Sequence, residues 1–478
     1  MTISPGHGIK LDLPNYAPGL AVIPIDNPEE ARHYARLRKS RPYRMALTIG
    51  FCLLLAACSQ PQISENIEQG PQPKTAVKDI PAVVAAANDG LSGFYTALAR
   101  LENGQRLRPV VIVHLGDSHI AADRFSGDLR QRFQRRFGDA GRGLVQPGKA
   151  FKYFNARGVS TQQSQGWKAA NSFLGDTGPY SLTGVRLEVA SAGEILKLTV
   201  KKPNKRQEIE VAFLTGPGAG SVEVKAEGKT QELDLTNAKN RIQRFKIRGQ
   251  SLSVKTLDAR PVSVLGWSSY LPKPGVRYVS LGLPGASAIV MTRWDKSLVK
   301  AELKYLKPDL IILGYGTNEG FRDDLNATAY QQRFEALAAA LKRAANNPSL
   351  LVLGAPDSTR LPKYAQNQQV KPECRALSKD EVTQYSTLLQ QKSQRLARWH
   401  APPGLARVRA AQKRAAQNLN AAYWDWSQVM GGECGTFRWA RANPALAYGD
   451  NVHFNDAGSK RAAVALYRFL MKGYGQFS

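Results

Sequence analysis

Pro109-Val110-Val111-Ile112-Val113-His114-Leu115 is β-branched and almost wholly apolar, and Gly116-Asp117-Ser118 ends it. A strand that is apolar at nearly every position, rather than at every second one, is buried on both faces, as a central strand of a parallel sheet is. Glycine at its exit permits a tight turn, and a serine in that turn presents its hydroxyl at the carboxyl end of the strand. Open α/β sheets bind their ligands at that end. Alone, Gly-Asp-Ser is ordinary turn chemistry.

Outward from this strand, the spacing of Leu129, Phe133 and Phe137 predicts a helix over Ser126–Phe137, and residues 81–101 carry apolar positions at helical spacing. From about 276 strands and helices alternate. Strand candidates are Val276–Ser280, Leu310–Leu313, Ser349–Leu353 and Ala421–Asp425, with helical patterns at 327–345 and Ala457–Lys472. Between 161 and 267 the texture differs: short alternating segments such as VRLEVA, ILKLTVKK, IEVAFLTG and LSVKTL are separated by Gly, Pro, Asn and Lys turns. That is the pattern of an all-β sandwich. The expected organisation is an α/β domain in two parts, 81–160 and 268–478, interrupted by a β-sandwich insert at 161–267.

The chain has 478 residues and a net charge of +28, with 43% hydrophobic and 22% charged residues. This composition excludes a largely disordered or collagen-like chain. No apolar run approaches the ~20 residues that span a bilayer, which excludes a polytopic membrane protein. The charge implies an anionic partner: nucleic acid, a membrane surface or an acidic polymer.

Met45–Ala57 (MALTIGFCLLLAA) follows the basic cluster Arg36, Arg38, Lys39, Arg41 and Arg44, which is the layout of a secretory signal. Leu55-Ala56-Ala57-Cys58 resembles a bacterial lipobox, so 1–57 is expected to be removed, Cys58 lipidated, and 58–80, rich in Gln, Pro and Ser, to serve as a tether. The alternative is an ordinary signal peptide with a chance cysteine. Ser59 resembles the signal for outer-membrane sorting, so a periplasmic protein anchored to the outer membrane is favoured. Seven basic and four acidic residues lie in 1–57, so the mature chain keeps +25. Export turns that charge away from nucleic acid. It also leaves Cys374 and Cys434 as an even pair in an oxidising compartment, where a Cys374–Cys434 disulfide is expected.

Two further loops carry chemistry. Gly314-Tyr315-Gly316-Thr317-Asn318-Glu319 follows a strand candidate, and the Asn318 amide there can face a developing oxyanion. Asp450-Asn451-Val452-His453 places a base and its orienting carboxylate on one turn, as a serine nucleophile requires. His114, inside an apolar strand, reads as a core histidine. No metal-ligand cluster, phosphate loop or dinucleotide fingerprint is present in the sequence, so neither cofactor nor metal is expected.

The ordered set Gly-Asp-Ser, Gly, Gly-x-Asn and Asp-x-x-His resembles the SGNH (GDSL-type) hydrolases over about 105–160 and 276–475. The resemblance implies a flavodoxin-like three-layer α/β/α fold. It also implies Ser118 as nucleophile, His453 as general base and Asp450 as its partner. The oxyanion hole would be the N–H groups of Ser118 and Gly285 plus the Asn318 side chain, with Gly282 the rival to Gly285. This chain departs from the pattern at His119, where leucine is usual, and at Glu319, where aspartate is usual. His119 reads as a packing or substrate-contact residue rather than a second base.

Export, the insert and the tail Tyr423-Trp424-Asp425-Trp426 resemble the bacterial peptidoglycan O-acetylesterases and related O-acetyltransferases, which carry a carbohydrate-binding-module-like insert. The implied activity is removal of O-acetyl groups from cell-wall glycan, with hydrolysis favoured over transfer. A lipase or thioesterase and a non-enzymatic glycan-binding envelope lipoprotein are the alternatives. In the insert, Trp167, Tyr180 and Phe213 are candidate glycan-stacking aromatics, and a purely structural wall is the equal alternative. Lys201, Lys202, Lys205 and Arg206 read as a solvated turn.

Overall fold

The computed structural model describes residues 89–477. The signal segment 1–57, Cys58, the tether 58–80 and the start of the 81–101 helical pattern lie outside the described residues. Among the described residues, no helix is long and apolar enough to cross a membrane.

Five parallel strands form the central sheet: β1 (Val110–Gly116), β2 (Val276–Gly282), β3 (Leu310–Gly314), β4 (Ser349–Gly354) and β5 (Ala422–Asp425). Their spatial order is β2-β1-β3-β4-β5, the flavodoxin-like arrangement. Every residue of β1 is buried. Successive side chains leave a strand on opposite faces, so β1 feeds two cores. Val110 and Ile112 join one of them with α1 (Ser92–Glu102), α2 (Phe125–Phe137) and α6 (Asp456–Phe477). Val111, Val113 and Leu115 join the other with α3 (Lys296–Leu306), α4 (Ala327–Ala344) and α5 (Pro403–Asn418). The result is a three-layer α/β/α domain.

Two antiparallel sheets make the sandwich. One runs Arg241–Arg248, Glu208–Thr215, Val262–Tyr270, Val185–Val189 and Lys168–Asn171, with Gly143–Val145 paired to Val262–Tyr270. The other runs Val159–Gln163, Ile195–Val200, Ser251–Thr256, Ser221–Ala226 and Lys229–Asp234. Gly143–Val145 precedes the stretch with alternating texture. It is too short, and too surrounded by glycine, to show a period of two.

The aromatics proposed to face a glycan do not. Trp167, Tyr180 and Phe213 are all buried: Phe213 lies on the strand Glu208–Thr215, while Trp167 and Tyr180 lie in connections between strands and turn into the cores. Trp167 and Phe213 fill the sandwich interior, and Tyr180 packs into the core that Val111 and Leu115 enter. Lys201, Lys202, Lys205 and Arg206 are exposed in a turn.

Polar contacts join the sandwich to the α/β domain. Arg244 reaches Glu302 on α3 at 3.1 Å, and the hydroxyls of Tyr270 and Tyr305 both bond Glu210. Gln146 donates to the Gly282 carbonyl at 2.7 Å, which ties the sandwich to the end of β2. Cys374 and Cys434 are disulfide-bonded, with Cα atoms 5.8 Å apart.

Candidate active site

β1 ends at Gly116, and Ser118–Ala121 forms one helical turn whose N-cap is Asp117. Glycines let this turn sit on the strand ends. A side chain at Gly282 would bring a Cβ to 2.1 Å from Ala121 N, and one at Gly116 would meet the Gly314 carbonyl at 2.5 Å. Ser118 opens the turn, where backbone N–H groups have no acceptor within the helix.

The base arrives from the far end of the chain. Ser118 Oγ lies 2.9 Å from His453 Nε2, and His453 Nδ1 lies 2.8 Å from Asp450 Oδ2. The other carboxyl oxygen, Asp450 Oδ1, accepts the N–H groups of Val452 at 2.9 Å and His453 at 3.0 Å. One short loop thus provides the imidazole, its orienting carboxylate and that carboxylate's own anchors. Burial pushes the Asp450 carboxyl up, but the hydrogen bond and charge of His453 outweigh it and hold Asp450 below the usual carboxylate range. With the Asp450 contact made through Nδ1, Nε2 is left free to accept the Ser118 proton.

The loop is braced from outside as well. The Thr359 N–H donates to the Asn451 carbonyl at 3.0 Å, the Tyr448 N–H to the His453 carbonyl at 2.9 Å, and Arg441 to Asn451 Oδ1 at 2.9 Å. Asn451 has φ +58°, in the left-handed region that asparagine tolerates better than most residues. Asp450 and His453 remain about a quarter and a third exposed, at 26% and 32% of their side chains, so solvent and substrate can reach them.

Gly285 lies in the loop after β2, and Asn318 on the short helix Thr317–Gly320 that follows β3. Asn318 Nδ2 donates to the Ala286 carbonyl at 2.9 Å, and Glu319 Oε1 accepts the Ala288 N–H at 2.8 Å. Two adjacent side chains therefore hold the segment that carries Gly285. An amide nitrogen has two N–H groups, so Asn318 keeps one for another acceptor. Gly285 has φ +76°, a conformation that favours glycine, and its N–H makes no hydrogen bond among the described residues. Gly282 sits instead inside β2, paired with Gly116 and packed on Ala121. Its role is close packing, so Gly285 is the better oxyanion candidate.

The sequence marks Glu319 only as a departure from a pattern, and His119 as a departure that reads as a packing or substrate-contact residue; the structure gives both partners. His119 is buried against Asp117 and the Val452 carbonyl. Glu319 is buried, and burial pushes its carboxyl up to about 7. His114 is a core residue, bonded through Nδ1 to the Tyr278 hydroxyl at 2.8 Å; burial lowers its imidazole to about 3, so it stays neutral. Nothing in the sequence marked Thr359 as a brace, because its contribution comes from the backbone.

Residues 260–461 match the model of the GDSL-like Lipase/Acylhydrolase family. That span holds Gly285, Asn318, Asp450 and His453, while Ser118 lies ahead of it on the other side of the sandwich. No curated protein matches the chain significantly. Among solved structures, a peptidoglycan O-acetylesterase superposes with a TM-score of 0.65 at 22% identity, covering 80% of this chain and 96% of that one. A family two carbohydrate esterase from Clostridium thermocellum, in complex with cellohexaose, gives a TM-score of 0.28 at 11% identity over 70% of this chain and 99% of its own. An acetyl xylan esterase gives 0.26 at 13% identity over 41% and 81%. The first likeness is one of fold; the other two are too distant to inform it.

Proposed function

We propose that this chain, whose residues 260–461 match the GDSL-like Lipase/Acylhydrolase family model, is an exported serine esterase of that family that removes O-acetyl groups from cell-wall glycan. The observation that carries the mechanism is the unbroken Ser118–His453–Asp450 hydrogen-bond chain at 2.9 and 2.8 Å. Ser118 Oγ attacks the acetyl carbonyl while His453 Nε2 takes its proton, and Asp450 steadies the resulting imidazolium. The tetrahedral oxyanion is received by the N–H groups of Ser118 and Gly285 and by the Asn318 amide. Collapse breaks the bond to the sugar oxygen, which leaves with the proton from His453. Water, activated by the same imidazole, then releases acetate from acetyl-Ser118.

The substrate reading is supported by the fold shared with a peptidoglycan O-acetylesterase across both the α/β domain and the sandwich. Export and lipid anchoring at Cys58 are part of the same proposal, and the Cys374–Cys434 disulfide suits an oxidising compartment. In this reading the anionic partner implied by the charge is the carboxylate-bearing wall, reached from a membrane surface.

The test is free acetate from O-acetylated peptidoglycan and from a small acetyl ester. Ser118→Ala is expected to lower kcat by about 10⁴ or more on both, without loss of folding. Unchanged rates would sink the mechanism. Preference for octanoyl over acetyl esters would favour a lipase instead. If acetyl groups pass to an added sugar acceptor in place of water, the enzyme is a transferase using the same residues.

A further inference from the structure

His119 follows Ser118 directly, and its ring closes a second link between the nucleophile turn and the base loop. His119 Nε2 lies 3.1 Å from the carbonyl of Val452, the residue immediately before His453. His119 Nδ1 lies 3.1 Å from Asp117 Oδ1, which also accepts the His119 backbone N–H at 3.0 Å. A carbonyl can only accept, so Nε2 carries a proton; an ionised carboxylate can only accept, so Nδ1 carries one too. Burial opposes both charges, yet each partner outweighs it: His119 holds the Asp117 carboxyl below its usual range, and Asp117 raises the His119 imidazole.

The surroundings leave the ring no other place. Phe454 and Trp426 contact it at centroid distances of 5.1 and 5.6 Å, and the His453 ring is stacked on it at 5.5 Å and 29°. Among charged groups, Asp450 also acts on it, from beyond His453. A leucine, usual at this position, would fill the space but could not reach Val452 with a hydrogen bond.

We propose that His119 is a positioning residue: a doubly donating imidazolium that clips the Ser118 turn to the Val452 carbonyl and so fixes where His453 Nε2 meets Ser118 Oγ. The proposal rests on Ser118 and His453 acting as nucleophile and base. Misplacing a reacting group by about 1 Å costs on the order of 10²-fold in rate. His119→Leu is therefore expected to lower kcat on a small acetyl ester by about that factor, with KM held within about threefold. His119→Gln retains an N–H donor of similar reach and is expected to recover about tenfold of the loss. Labelling of Ser118 by a fluorophosphonate probe should slow in the same order.

An independent readout is the nitrogen NMR spectrum of histidine-labelled protein at about pH 7, above the unperturbed histidine value of about 6.5, where an unperturbed histidine is mostly neutral. One histidine should keep both ring nitrogens protonated, and that signal should vanish in His119→Gln. If His119→Leu fails to fold, His119→Gln and the spectrum decide. Wild-type kcat and labelling rates in the folded variants, or no doubly protonated histidine in the wild type, would overturn the clip. Failure of the wild type itself to label at Ser118 would instead overturn the esterase reading, and the positioning role with it.

Discussion

Glu319 stands beside Asn318 with Oε1 on the Ala288 N–H, while Oε2 is buried without a partner among the described residues. Burial raises its carboxyl from 4.5 to about 7. Below pH 4.5 the group is neutral in folded and unfolded chains alike, and the stability it allows is fully present. As pH rises from there the unfolded chain ionises first, so folding stability falls, and it levels once the folded carboxyl ionises near 7. Relative to Glu319→Gln, which keeps the acceptor without the charge, the wild type should lose about 3 kcal/mol across that window. Denaturant unfolding of both proteins at several pH values measures it; a difference independent of pH would contradict the burial argument. Ser118, Asp450 and His453 were legible at this scale because each sits in a short motif whose chemistry is local. The partners of His119 and Glu319 were not, since a single side chain in a sequence does not say what it faces.

Elements carry the site by their ends. β1, β2 and β3 finish together, with Gly116 in register with both Gly282 and Gly314. The nucleophile turn packs onto those glycines. Gly282→Ala would place a methyl 2.1 Å from Ala121 N and 2.7 Å from the Asp117 carbonyl, both backbone atoms. Relief requires the whole Ser118–Ala121 turn to move. Overpacking of this kind costs about 1–3 kcal/mol, and here it should also lower kcat, because the displaced turn holds Ser118. Thermal unfolding and ester kinetics on the one variant check both effects, and loss of stability with wild-type kcat would show that the turn accommodates the methyl without shifting Ser118. β1 was readable from its unbroken apolar run, β2 to β5 as short strand candidates in a strand–helix alternation, and α2 from the four-residue spacing of Leu129, Phe133 and Phe137. Gly143–Val145 was not, because three residues carry no period. The burial of Phe213 was missed because a strand pattern predicts two faces without saying which one is the core, and that of Trp167 because it lies in a connection, where no period applies.

For the whole molecule, two constraints act over distance. The Cys374–Cys434 disulfide closes a loop with a sequence separation of 60 residues. Loop-closure entropy for that length gives about 4 kcal/mol of stabilisation. Cys434 adjoins the helix Gly435–Arg441, whose Arg441 holds Asn451 in the base loop. Cys374→Ser with Cys434→Ser should therefore lower the unfolding midpoint, read by thermal or denaturant melts with and without reductant; the wild type should be reductant-sensitive and the double variant should not. Charge is the second constraint. Residues 58–478 carry +25, and attraction to an anionic polymer is screened by salt. Acetate release from insoluble wall should fall as salt rises, while turnover of a soluble neutral ester should not. Equal salt responses would remove charge from the account of substrate encounter.

By itself the sequence determined the α/β sheet with its interrupting β-sandwich, the disulfide partners, and the motif residues Ser118, Asn318, Asp450 and His453, because runs, periods, turn residues and short motifs act within a few positions of one another. Tertiary structure alone decided that Ser118 Oγ and His453 Nε2, 335 residues apart, come to 2.9 Å, and that His119 reaches Val452 across 333. It also packed Gly282 against Ala121 at the end of β2 and buried the sandwich aromatics. These outcomes depend on packing between distant segments, where an atom's position is set by every neighbour at once and no local pattern in the chain encodes it.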